Sequence, residues 1–118
     1  MGALTTHVLD TSRGLPASGM KLELWRVESG VTRILIQTMH TNNNGRVEFP
    51  IISGQDFQSG VYELVFFVAS YFRTQGVDLA EPPFLDQIPL RFGIADTNMH
   101  YHVPLLITPW GYSTYRGS

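Results

Sequence analysis

Short runs of alternating apolar and polar residues, each ended by a turn cluster, constrain this chain more than any other feature. Met20, Leu22 and Leu24 alternate with Lys21, Glu23 and Trp25, the period-two pattern of a strand with one buried face. Leu4 to Leu9 does the same, with Thr5, His7 and Leu9 on one side and Leu4, Thr6 and Val8 on the other. Between them lies Asp10-Thr-Ser-Arg-Gly14-Leu-Pro16-Ala-Ser-Gly19, rich in the residues that turns require. Arg33 to Thr41 reads as a further strand, Asn42 to Gly45 as a turn, and Arg46 to Phe49 as a short strand closed by Pro50. Ser53 to Gly60 reads as a loop or a single helical turn. Val61 to Ala69 is the most apolar stretch, expected to lie centrally with both faces covered. Ser70 to Gly76, with Ser70 as N-cap and a closing glycine, is the one expected helix. Gln87 to Ile94 is another strand, and the last hairpin breaks at Thr108-Pro109.

Many short strands with a single short helix predict an all-β antiparallel sandwich. Residues 1–118 are expected to form one domain, a length that buries a real core without room for a second. Periodicity alone does not choose among the known sandwich families. Charged residues are 15% of the chain, against roughly 25% in ordinary soluble domains, which points to surface covered by partners. The net charge is −2 and Lys21 is the only lysine, so the basic footprint of a nucleic-acid binder is missing. Cysteine is absent, which removes disulfides and thiolate chemistry. No apolar run approaches the roughly 20 residues of a membrane span. The opening Met1-Gly2-Ala3-Leu4 has no basic segment followed by an apolar one. A cytoplasmic location is the default expectation, or a peroxisomal or periplasmic one if a targeting peptide has been removed.

The densest chemistry lies at the end, in His100-Tyr-His-Val-Pro-Leu-Leu-Ile-Thr-Pro-Trp-Gly-Tyr-Ser-Thr-Tyr-Arg-Gly-Ser118. His100 and His102 project from one strand face, while Tyr101, Val103, Leu105 and Ile107 project from the other. Pro104 shares the imidazole face and cannot donate to a ladder, so an edge, a bulge or irregular pairing is expected there. An edge strand beside a second subunit fits that pattern.

Three segments, His100-Tyr-His-Val-Pro-Leu-Leu, the ending Tyr-Ser-Thr-Tyr115-Arg116-Gly117-Ser118 and the opening Leu4-Thr-Thr-His7-Val-Leu-Asp10, together resemble the 5-hydroxyisourate hydrolases, the transthyretin-related proteins of urate breakdown. The resemblance covers essentially the whole chain. It implies the transthyretin sandwich of eight strands, with the helix after the fifth. It also implies a homotetramer, a dimer of dimers with active sites where dimers meet around a central channel, acting on a small purine-derived substrate. His7, Arg46 and His102 carry over as the catalytic set, with Ser118 and the terminal carboxylate as a further polar contributor. Tyr115 and Arg116 join His7, Arg46 and Ser118 as substrate-binding residues, Tyr115 shortening the channel that hormone carriers leave open.

These residue types suit a ring opening by water. Such a step needs a base for the water proton, a donor or cation for the developing oxyanion, and a proton source for the leaving nitrogen. Histidine is poised between its forms near neutral pH, and arginine is a fixed cation with planar donors. The assignment is His102 as base, His7 as proton partner and Arg46 as orienter and oxyanion stabiliser. Outside this constellation, His7 reads as an ordinary half-exposed strand histidine and Arg46 as a solvated charge beside a turn. His100 reads as structural, and Tyr101 and Tyr112 as core or interface aromatics. His7, His100 and His102 also have the ligand types of a three-histidine zinc site. Ring opening of a reactive substrate does not require a Lewis acid, so no metal or other cofactor is expected. A non-catalytic carrier of hydrophobic aromatic ligands is the main alternative.

Overall fold

The computed structural model describes residues 2–117. Strand β1 (Ala3–Asp10) buries Leu4, Thr6, Val8 and Asp10 and leaves Thr5, His7 and Leu9 half-buried on its other face. It is followed by β2 (Leu15–Pro16), β3 (Lys21–Val27), β4 (Arg33–His40), β5 (Ile52–Ser53), a 3₁₀ turn at Gly54–Asp56, β6 (Gly60–Phe66), helix α1 (Val68–Thr74), β7 (Ile88–Ile94), β8 (Tyr101–Thr108) and β9 (Gly111–Thr114). The strands form two sheets. One runs β2-β1-β8-β9, with β5 also on β1, and the other runs β4-β3-β6-β7. Leu4, Val8, Leu22, Leu24, Leu64, Phe66, Leu105 and Ile107 are fully buried between them. Each contributes about 1.5–3 kcal/mol of apolar transfer, which is why the alternation survives from sequence into structure.

As expected, β6 is central, lying between β3 and β7, and Tyr62 through Phe66 are buried on both faces. Nine strands form among the described residues, two of them only two residues long, against the expectation of about eight. No helix of the described residues is long and apolar enough to cross a membrane.

Several local expectations are corrected. Arg46 to Phe49 is not a strand. Asn42 Oδ1 accepts the backbone N–H groups of Asn44 and Arg46 at 2.9 and 3.1 Å, so the turn is closed by a side chain. Only Arg46 bridges to β1, opposite His7, and regular pairing resumes at Ile52–Ser53 against Ala3 and Leu4. The helix starts at Val68 with Phe67 at its N-cap, rather than at Ser70. Burial of Val68, Ala69, Tyr71 and Phe72 decides this over the capping preference of serine. Tyr71 donates to Asp10 Oδ2 at 2.9 Å, tying the helix to the end of β1. Burial first, and then this bond to Asp10, push the phenol up to about 12.

All sheet pairings are antiparallel except one: β1 and β8 run parallel, with Thr5 beside His102 and His7 beside Pro104. Alternation carries no information on strand direction. Nor is β8 an edge strand, since it lies between β1 and β9. Pro104 is accommodated because β9 ends as regular strand at Thr114, while the same register resumes at the bridge between His102 and Gly117. The missing N–H falls opposite Tyr115, where strand pairing lapses.

Candidate active site

Three separate segments converge on the outer face of the β1–β8 pair. His7 comes from β1, His102 from β8, and Arg46 from the turn that bridges to His7. That turn approaches closely because residue 45 is glycine. Val8 donates to the Gly45 carbonyl at 2.8 Å. A Cβ at Gly45, whose φ is +75°, would overlap the Val8 carbonyl oxygen and lie 3.3 Å from His7 Cδ2. The tail contributes a second close approach. Gly117 donates its N–H to the His102 carbonyl at 2.7 Å, and a Cβ there would sit 2.7 Å from His102 Cδ2.

Both imidazoles are half-buried, and Arg46 is exposed. Burial, and next the Arg46 guanidinium, hold His7 below its ordinary 6.5, while a ring N–H toward the Asn44 carbonyl works in the opposite direction. Burial also lowers His102, followed by Arg46, His100 and His7. Near neutral pH both rings are therefore neutral, able to accept a proton beside a permanent cation. Among the described residues no carboxylate lies within 4.0 Å of Arg46. The site is thus set up to receive negative charge.

Sequence reasoning missed Thr5. Its Oγ1 lies 2.8 Å from His102 Nδ1 and 3.0 Å from His100 Nε2. The signal was present in the alternation, which placed Thr5 on the histidine face, but threonine carries no chemistry that would single it out. His100 is exposed and joins the cluster through this hydroxyl. Among the described residues no three His, Cys, Asp or Glu side chains are grouped so as to hold a metal ion.

Tyr115, in the tail register opposite Pro104, is 61% exposed. The Arg116 guanidinium lies over the Tyr101 ring, 4.1 Å from its centroid, with Nη2 3.5 Å from the His100 carbonyl oxygen. It therefore sits on the side of the strand away from His102, since Tyr101 is core. Both tail residues border a cavity of about 660 Å³ reaching to Leu90 and Phe92 of β7. Ser118 lies outside the described residues.

The HIUase/Transthyretin family matches residues 4–117. A relative named 5-hydroxyisourate hydrolase 2, from Rhizobium meliloti, is 60% identical over 99% of this chain and 97% of its own length. The (S)-allantoin synthase structure superposes with a TM-score of 0.92 at 48% identity, over 99% of this chain; the chain spans 44% of that longer one. Sea bream transthyretin in complex with thyroxine superposes with a TM-score of 0.87 at 27% identity, over 98% and 94% of the two chains.

Proposed function

This chain belongs to the HIUase/Transthyretin family, and from that premise we propose that residues 1–118 form one hydrolase domain. It converts 5-hydroxyisourate to 2-oxo-4-hydroxy-4-carboxy-5-ureidoimidazoline in urate catabolism. The observation that carries this reading is the convergence of His7, His102 and Arg46 on one outer sheet face, in a chain 60% identical to a named hydrolase. A carrier role has weaker support, since the thyroxine-bound relative is 27% identical.

The geometry suggests the division of labour. His102 has its Nδ1 engaged by Thr5, which leaves Nε2 to take a proton from the attacking water. Water adds to a ring carbonyl, the C–N bond breaks, and the leaving nitrogen receives that proton by way of His7, which takes it up on its free ring nitrogen and hands it on, ending neutral as it began. Arg46 receives the oxyanion between those events, a task typically worth a hundredfold or more in rate. Its charge also helps keep both imidazoles neutral at rest, and so available as bases.

The working form is a homotetramer, a dimer of dimers in which a second copy walls the site. Exposed Leu15 and Tyr112 on the sheet that carries the histidines, with Trp110 and Tyr115 flanking β9, support this, because exposed apolar patches mark contact surfaces. Tyr115 borders the substrate with Ser118 as a further polar contributor, and Arg116 acts from behind the strand, over Tyr101, by holding the tail that carries them. Freshly generated 5-hydroxyisourate followed by absorbance tests the activity. Decay well above the uncatalysed rate is expected, and decay at the background rate with pure protein sinks the reading. Sedimentation equilibrium giving four times the chain mass checks the assembly.

A further inference from the structure

Thr5 and His100 remain without a task in that scheme, although both touch its centre. Thr5 Oγ1 stands between two imidazoles, 2.8 Å from His102 Nδ1 and 3.0 Å from His100 Nε2. The contact is built into the ladder, since Thr5 and His102 are direct partners across the β1–β8 pair. A hydroxyl has one proton to donate. When Thr5 bonds both rings and donates to one, the other ring must donate to it, so the tautomers of His102 and His100 are linked. Only one direction suits a base at His102: Nδ1–H donates to Thr5, Thr5 donates to His100 Nε2, and His102 Nε2 keeps its lone pair.

We propose that Thr5 is a positioning residue that fixes the His102 tautomer and, with His100, forms a proton wire from the half-buried base to solvent. The proposal rests on the hydrolase reading and deepens it. When His102 Nε2 takes the water proton, its Nδ1 proton passes to Thr5 Oγ1. The hydroxyl's own proton passes to His100 Nε2, and His100 releases its Nδ1 proton to bulk water. The relay groups end uncharged, the negative charge staying on the adduct beside Arg46, and reversal of the relay resets the tautomers as His102 Nε2 gives up its proton toward the leaving nitrogen by way of His7. The wire runs outward, because His102 is half-buried and His100 exposed. Among the described residues the groups facing it are His7 and Arg46 on the inner side and Arg116 at the His100 carbonyl. Among those residues no carboxylate lies within 4.0 Å of His100 or His102 to trap the proton. Burial and the Arg46 charge also disfavour a lasting imidazolium at His102.

The test combines turnover with ¹⁵N NMR of the histidine rings. In the wild type near neutral pH, His102 is expected to carry its proton on Nδ1. Thr5→Val, which keeps the branched shape and removes the hydroxyl, should lower kcat roughly tenfold with KM unchanged. It should also scramble the His102 tautomer. Thr5→Ser should restore both. His100→Gln should lower kcat in dilute buffer, and added imidazole should recover it. Wild-type kcat in Thr5→Val, or a resting His102 protonated on Nε2, overturns the proposal. Should the wild-type protein fail to hydrolyse 5-hydroxyisourate, the functional reading falls, and the spectra alone then decide. Tautomers unchanged between wild type and Thr5→Val would dispose of the linkage independently.

Discussion

The two outer faces of this sandwich treat their charged groups in opposite ways. On the β4-β3-β6-β7 sheet, Glu63 is held between Arg33 at 2.8 Å and Arg91 at 3.1 Å, and Arg33 also lies 3.9 Å over the Trp25 ring. Each charge there has its complement, so the array is finished within one chain. On the β2-β1-β8-β9 sheet, Arg46 stands beside two depressed imidazoles with no carboxylate in reach among the described residues. Compensation on one face serves stability, and its absence on the other leaves a field that a developing anion can use. The difference separates a structural charge cluster from a reactive one without reference to residue type, since both are built on arginine.

Substitutions should separate the faces cleanly. His102→Ala and Arg46→Ala should each lower kcat/KM by about a hundredfold or more, with denaturant midpoints near wild type. Wild-type turnover in both would erase the distinction. Gly117→Ala should come next, since a Cβ 2.7 Å from His102 Cδ2 must displace the ring. A roughly ten- to hundredfold loss of kcat is expected from that misplacement, checked by steady-state kinetics beside an unchanged melting curve. Glu63→Gln should do the reverse, costing roughly 1–2 kcal/mol in urea unfolding because two part-exposed guanidinium groups lose their shared partner, while kcat stays unchanged. Loss of activity in that variant would show that the faces are coupled.

The smallest effect concerns protons. Arg46→Gln removes a positive neighbour from His7 and His102, so both should titrate at higher pH by NMR, with burial still holding them down. The same depression makes stability pH-dependent. The unfolded chain takes up protons near 6.5 before the folded one does, so the contribution is full above that pH and is lost as pH falls through the lowered folded values. Arg46→Gln should narrow that loss, and unchanged titrations would exclude the guanidinium as a cause.

Much of the architecture was legible from alternation alone. The outward Thr5, His7 and His102 and the buried Leu4, Val8, Leu22 and Leu105 stand where period two puts them. Less legible was anything set by competition between local and distant terms. Ser70 has the chemistry of an N-cap, yet burial of Val68 and Ala69 starts the helix earlier. Arg46 to Phe49 has strand composition, yet the Asn42 side chain takes up the Arg46 N–H at its start. The tail spelled a family signature without showing that Gly117 is what lets it lie against His102.

By itself the sequence determined which residues face inward and which outward, because side-chain period is a property of the local backbone and burial selects one phase of it. It also set the chemical types available to a site: imidazole, guanidinium, hydroxyl, and no thiol. Only the tertiary structure decided that β1 and β8 run side by side and parallel. That pairing is what sets a threonine from one end of the chain between two histidines from the other. Strand direction and neighbour choice depend on how the whole core closes, and no local pattern of apolar residues encodes them.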